Sequence, residues 1–160
     1  VGIDGVERGE ITLHEAEVID SYGTVAEREA ARRRDTDARW SDVSDAAVER
    51  CPNALNHLDA ASWRYYLPRY MVWTLENHER SRSISADHTL YALLLTDDRA
   101  LNDHLRARYN LLDDAQSRSV AAFLRYMAGQ ERSVDAHAAA TALDKTWARY
   151  EAPTPAAHSR

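Results

Sequence analysis

The chain is poor in cysteine, lysine, glycine and proline, with one cysteine, one lysine, five glycines and four prolines among 160 residues. The single cysteine, Cys51, cannot form a disulfide within the chain, so the sequence does not require an oxidising compartment. The longest apolar run, Leu90 to Leu95, is much shorter than the roughly 20 residues of a membrane-spanning helix, and no signal-like leader is visible. We therefore expect a cytoplasmic protein without a membrane segment.

The charge balance is acidic, with a formal net charge of −6, although 20 residues are basic. Nucleic-acid binding needs a clustered positive surface, so this balance predicts no nucleic-acid partner. The excess of arginine over lysine is typical of bidentate recognition of carboxylate or phosphate, but also of a GC-rich genome. We favour the genomic explanation, because most arginines fall on helix faces that we predict to be solvated.

Motifs of common active sites are missing from the sequence. It contains no Gly-x-Ser-x-Gly elbow, no phosphate-binding glycine loop and no dinucleotide fingerprint. Cys51 precedes Pro52 at a predicted helix end, where the helix dipole raises rather than lowers the pKa of a thiol. The sequence therefore assigns no catalytic residue and no cofactor, and a non-enzymatic role is favoured over an enzymatic one.

The seven histidines are scattered, and no two stand three or four residues apart, as metal ligands on one helix face would. Surface or capping histidines are the favoured interpretation, and no metal is assigned. The alternative is a three-histidine site assembled from separate helices. His137 is the best single candidate, because it lies beside the apolar stripe of the last predicted helix. Even there, we favour a histidine at the edge of the core with its ring nitrogens bonded.

The composition favours helix throughout, since alanine is abundant, β-branched residues are sparse and no segment alternates with period two. These features predict an all-α fold, a single-domain orthogonal or irregular bundle of about six or seven helices. We place an irregular lead-in at 1–11, one helical domain at 12–151 and a flexible tail at 152–160.

Capping signals mark two parts of this fold. Capping-box spacings over 12–15 and over 24–27 predict a helical hairpin or a sharp kink at the start of the domain. Asp59 is placed to cap a helix over 60–78, which is apolar on nearly every face and is therefore predicted to be the buried central helix. Pro68 stands in its middle and predicts a kink or break there.

The segment 64–71 carries two arginines within this aromatic helix. Buried arginines must meet carboxylates, carbonyls or ring faces, and the favoured interpretation pairs them with acids such as Asp59 or Glu76. Alternatively, the kink opens a concave site for an acidic group, or the aromatic and arginine side chains form a protein interface. The candidate binding residues are Arg64, Tyr65, Tyr66, Arg69, Tyr70, Trp40, Glu15 and His137.

Distinctive strings are spread over most of residues 10–150. They are TLHEA over 12–16 with Asp20 and Gly23, Trp40, RYYLPRYM over 64–71, Leu111-Leu112, Ala121, FLRYM over 123–127, and Trp147. In these strings the chain resembles a family of small acidic bacterial proteins, classed as a domain of unknown function, with the motif (F/W)RYYLPxYM. Arg69 replaces a small residue of that motif, and the resemblance implies no activity, cofactor or partner.

The favoured function is a non-enzymatic, cytoplasmic protein-binding module, such as an immunity or regulatory protein with a basic partner. The alternative is a small helical enzyme or ligand-binding protein with an Arg- and Tyr-lined pocket around 64–70, aided by His137 or Glu15. A homodimer that buries the aromatic segment is a third, weaker reading. A pocket with convergent Arg, Tyr and carboxylate groups would favour the alternative, whereas a flat apolar patch around Trp40 would favour protein binding.

Overall fold

The computed structural model describes residues 5–130 and 134–151, and this part of the chain is all-α, with nine helices and no strand. The helices are α1 (Leu13–Asp20), α2 (Val25–Arg32), α3 (Asp45–Arg50), α4 (Ala54–His57), α5 (Ala60–Asn77), α6 (Ser85–Tyr91), α7 (Arg99–Tyr109), α8 (Asp114–Ala128) and α9 (Val134–Ala142). The predicted fold class is confirmed. The helix count exceeds the prediction. Helix α3 is the helix expected to end at Cys51, whereas the short α4 after Pro52 was not predicted.

The predicted hairpin is formed by α1 and α2, which pack against each other. The backbone N–H of Thr24 donates to the Glu27 carboxylate at 2.7 Å, and the N–H of Glu27 donates back to the Thr24 hydroxyl at 3.3 Å, which completes a capping box. Between the helices, Tyr22 adopts φ of 56°, an unusual left-handed conformation for a bulky residue, and its side chain is exposed. This turn ends α1 at Asp20.

The central helix is α5, as predicted. The Asp59 carboxylate accepts the N–H groups of Ala61 and Ser62, each at 3.0 Å, and so caps the helix. Pro68 is buried inside the helix, which continues to Asn77 without a break. The missing hydrogen bond is tolerated because most of the α5 side chains around Pro68 are packed in the core.

One connected hydrophobic core joins the helices. Its largest side chains are Trp63 and Trp73 of α5 and Trp147 near the end of the described chain, all fully buried. The Tyr109 ring lies between two of them, 5.8 Å from the Trp63 ring and 4.8 Å from the Trp147 ring, measured between centroids. No helix in the described residues has the length and apolar character needed to cross a bilayer.

The last predicted helix does not run regularly to Tyr150. After α9 the chain widens into a π-helical turn, Leu143–Trp147, followed by a 3₁₀ turn, Ala148–Tyr150. In the π-helical turn both Leu143 and Trp147 are buried, and the Trp147 indole N–H donates to the Leu93 carbonyl at 2.9 Å. The predicted lead-in is irregular over 5–11, whereas the predicted tail, 152–160, lies outside the described residues.

Candidate functional site

The predicted Arg–Tyr segment of α5 lies mostly in the core. Tyr66 and Tyr70 are fully buried, and Tyr65 is 3 % exposed. The Tyr70 hydroxyl donates to the Cys51 carbonyl at 2.5 Å. The aromatic rings of this segment therefore pack inside the protein and do not form an exposed interface.

The two arginines of the segment have structural partners. Arg69 donates from Nε to the Val43 carbonyl at 2.6 Å and forms an ion pair with Asp45. Arg64 donates from Nε to the Gln116 side chain at 3.0 Å. The acids beside these arginines are Asp45 and, 3.8 Å from Arg64, Asp113. The expected partners Asp59 and Glu76 are wrong, and the Asp59 carboxylate caps the start of α5 instead.

Two further predicted residues lie apart from this segment. The Glu15 carboxylate is fully buried and is held by Arg28 and Arg32 of α2, with distances of 3.0 and 2.7 Å to Oε1. His137 is exposed on α9, so the prediction of a bonded histidine at the core edge is wrong. The buried face of α9 contains Ala139 and Ala142 instead.

Among the described residues, two of the predicted candidates, Tyr65 and Trp40, line one cleft together. This cleft, here the Tyr65 cleft, has a volume of about 650 Å³, within the range of ligand sites. It is lined by residues 5–8, residues 37–40 and Tyr65. Of the predicted pocket around 64–70, only Tyr65 lines this cleft, and the arginines of the lining are Arg8 and Arg39 rather than Arg64 and Arg69.

A hydrogen-bond network fixes the floor of the Tyr65 cleft. The Asp37 carboxylate accepts from Arg8 at 3.2 Å and from the Tyr65 hydroxyl at 2.9 Å. The same Arg8 nitrogen donates to the Asp35 carbonyl at 3.2 Å and lies 3.4 Å from the Tyr66 hydroxyl. The lead-in, the 35–40 loop and α5 are thereby joined at one point.

Gly9 allows the lead-in to reach this position. A Cβ at residue 9 would lie 2.1 Å from an Asp59 oxygen and 2.8 Å from the Ser62 nitrogen, so only glycine fits there. Two residues later, the Ile11 N–H donates to the Asp59 carboxylate at 2.8 Å. Sequence reasoning missed Arg8 and Asp37, and the clustering of glycines around Arg8 was the available signal for a close approach.

Two groups that could serve as nucleophiles, Tyr65 in the cleft and Cys51 outside its lining, are held in their neutral forms. Burial raises the pKa of the Tyr65 hydroxyl, and its hydrogen bond to Asp37 raises it further. Burial, with a contribution from Glu17, raises the pKa of the Cys51 thiol to about 12. Neither group is activated as a nucleophile, and the described residues contain no His, Cys, Asp or Glu cluster suited to a metal ion.

Trp40 supplies the unsatisfied polar group of the cleft. Its ring packs partly against the core, and its indole nitrogen is buried without a hydrogen-bond partner among the described residues. A buried donor without an acceptor costs free energy, which a bound acceptor would recover. Because Trp40 and Tyr65 both line a cleft with the volume of a ligand site, the Tyr65 cleft is the candidate binding site.

A pair of carboxyl groups lies elsewhere, where α6 packs on α9. The hydrogen bond between Asp87 and Asp135, together with burial, raises the pKa of Asp87 to about 6. Because the folded state then holds the proton more tightly than the unfolded state, this stabilisation is complete below about pH 4. It is lost as the pH rises through the pKa of Asp87, near 6.

The substitution Asp87→Asn is expected to raise the free energy of unfolding at neutral pH by about 1 kcal/mol, a value reduced for solvent screening. The amide keeps a donor for Asp135 and removes the like charge. Urea unfolding across the acidic to neutral range should also show a smaller loss of stability with rising pH. Asp97→Asn, at an exposed acid, is the control. A variant less stable than wild type at neutral pH would contradict this prediction.

Comparison with curated proteins and with solved structures gives no match to this chain. The model of one protein family matches residues 3–151, which include the Tyr65 cleft and all nine helices. By this match the chain belongs to DUF6714, a family of unknown function.

Proposed function

We propose that the protein is a binding module whose Tyr65 cleft takes an extended segment of a partner protein. The observation that supports this most directly is the non-helical backbone that forms the cleft walls. Residues 6–9 and 35–37 form no helix, and both stretches border or support the same cleft beside Trp40. Backbone groups outside helices can serve as the donors and acceptors that an added peptide strand uses.

The backbone of the lead-in is free to make such contacts. No backbone hydrogen bond joins Val6, Glu7 or Arg8 to another described residue. Val6 nevertheless packs against the core, so the segment is held in place without using its backbone groups. A peptide lying alongside it would find a preformed edge and, at Trp40, a donor for one of its carbonyls.

The charges of the cleft favour a basic residue in the bound segment. Arg8 is paired with Asp37, and Arg39 with Asp42 at 3.2 Å. Glu7 is exposed and has no ion pair among the described residues. The two arginines and two acids of the lining balance in charge, and Glu7 is the one of them without an ion pair in the described part of the chain; the net charge of the chain is also negative, −6. The partner in this proposal is basic, and an immunity or regulatory role is compatible with it.

The test is selection of random peptides on the immobilised full chain, followed by affinity measurements on synthetic versions of the enriched sequences. Trp40→Ala is expected to weaken binding by about tenfold or more, because it removes the aromatic wall and its donor. Glu7→Gln should weaken binding of a basic peptide by about threefold, and this effect should decrease at high salt.

Tyr91→Ala provides the matched control, because Tyr91 is an exposed aromatic residue of α6 outside the cleft. Its affinity should equal that of wild type, and circular dichroism should show the same helix content for all variants. The proposal is contradicted if no peptide is enriched. It is also contradicted if the enriched peptides bind the Trp40 variant as tightly as the wild type.

A further inference from the structure

A second cleft lies at the other end of the described chain and is independent of the Tyr65 cleft. This cleft, here the Trp147 cleft, has a volume of about 670 Å³. Its lining residues are Leu95, Arg106, Tyr109, Asn110, Leu112 and 144–150. It therefore brings together the end of α7 and the π-helical turn after α9.

Three cations line the Trp147 cleft in a chain that is acidic overall. Arg106 lies 3.7 Å from Asp103, and both side chains are largely exposed, so this pair is weak. Lys145 donates to the Leu95 carbonyl at 3.3 Å. Arg149 lies over the Tyr150 ring, with 4.8 Å between its guanidinium carbon and the ring centroid. Among the residues that the structure describes, none of these three cations makes a close ion pair.

Among the described lining residues, Asp144 is the one acid, and its charge contributes to the pKa of Arg125, which lies outside the lining. The pKa of Arg125 is raised mainly by its hydrogen bonds to Glu151 and additionally by the charge of Asp144. Arg125 is not among the lining residues. With three cations and one acid among its described lining residues, the cleft has an excess of positive charge.

The floor of the cleft is rigid. Tyr109 and Trp147 are both buried, and each points its polar group away into the protein. The Tyr109 hydroxyl donates to the Ala92 carbonyl at 3.1 Å, and the Trp147 indole donates to the Leu93 carbonyl at 2.9 Å. These contacts hold the backbone that carries the cations, so a ligand meets a preorganised set of donors.

Thr146 supplies a further polar group without a partner. A helical threonine usually donates to the carbonyl four residues earlier, as Thr141 does to His137 at 2.8 Å. Thr146 lines the cleft, and its hydroxyl is buried without a hydrogen-bond partner among the described residues. It stands in a π-helical turn, a form of backbone found frequently at functional sites.

We propose that the Trp147 cleft is a binding site for a small polyanion carrying phosphate groups or several carboxylates. Arg106, Lys145 and Arg149 supply the positive charge, and the guanidinium groups match the planar geometry of carboxylate and phosphate oxygens. The amide of Asn110 and the hydroxyl of Thr146 supply neutral donors. This inference does not depend on the function proposed for the Tyr65 cleft.

The test is isothermal titration of the full chain with pyrophosphate and, separately, with citrate, in a buffer of low ionic strength. We expect saturable one-to-one binding. The double variant Lys145→Gln with Arg149→Gln should weaken binding by about tenfold or more. Thr146→Val has almost the same shape and should weaken binding by about threefold to tenfold, because it lacks the hydroxyl donor.

Arg118→Ala is the matched control, since Arg118 is an exposed cation on α8 that does not line the cleft. Its affinity for either anion should equal that of wild type. Tighter binding of pyrophosphate would indicate a phosphate ligand, and tighter binding of citrate would indicate a polycarboxylate. Equal affinity would indicate a site that recognises several negative charges of either kind. The proposal is overturned if neither anion binds saturably, or if the Arg118 variant loses as much affinity as the double variant.

Discussion

Replacing Arg108 by methionine is expected to lower the free energy of unfolding by about 3 kcal/mol or more. The Arg108 side chain is 2 % exposed and donates to three backbone carbonyls at the end of α4, those of Leu55, Asn56 and Leu58, at 2.9, 3.1 and 2.7 Å. Methionine has a similar volume but no donor, so these acceptors would lose their partners. Chemical denaturation with a helix-content readout measures the change.

Two variants sharpen this prediction. Arg108→Lys keeps the charge but reaches fewer carbonyls than the guanidinium fork, so its stability should fall between those of wild type and Arg108→Met. Arg99→Met, at an exposed position of the same helix, should change stability by less than about 0.5 kcal/mol. If Arg108→Met were as stable as Arg99→Met, the three carbonyl contacts would have no structural importance.

Replacing Glu15 by glutamine is expected to lower the free energy of unfolding by about 2 to 3 kcal/mol at neutral pH. The fully buried Glu15 carboxylate accepts hydrogen bonds from Arg28 and Arg32 and joins α1 to α2. The expected loss is smaller than for a completely buried pair, because both arginines reach solvent. In the variant, the charges of both arginines lie beside a neutral amide, and contact with water reduces the cost of this.

The pH dependence provides a second readout for Glu15. Burial opposes its ionisation, but the hydrogen bonds from Arg32, Arg28 and Thr12 outweigh burial and hold the pKa of Glu15 below its ordinary value. This stabilisation is present above about pH 4.5 and is lost as the pH falls through the lowered pKa. Glu15→Gln should therefore remove part of the acid sensitivity, whereas Glu29→Gln, at an exposed acid of α2, should leave it unchanged.

The parts of the fold that were predictable depend on local chemistry. Thr24 and Asp59 cap helices as their spacing predicts, because a cap involves only three or four neighbouring residues. The π-helical turn was not predictable, since it depends on how Leu143 and Trp147 enter the core. Arg108 was also missed, because the acceptors that permit its burial lie about 50 positions away in sequence.

In the candidate sites too, contacts between residues distant in sequence could not be predicted. Tyr65 and Trp40 were both among the predicted candidates, because large aromatic residues are conspicuous in sequence, but nothing in the sequence indicates that they line the same cleft. Their neighbours Arg8 and Asp37 stand in irregular segments, where no periodicity indicates which side chains will meet. The cations of the Trp147 cleft come from two separate elements, and sequence spacing can relate only those on the same element.

Because Gly9 packs against the start of α5, the Tyr65 cleft can form only when the lead-in has docked on that helix. Arg8 contacts Asp37 and Tyr66 across 29 and 58 positions of sequence, so the Tyr65 cleft closes only after distant parts of the chain have assembled. Its lead-in wall has few backbone hydrogen bonds and belongs to the part of the protein that opens most easily. A bound segment that adds such bonds would slow this opening, and so protect the beginning of the chain from proteolysis and hydrogen exchange.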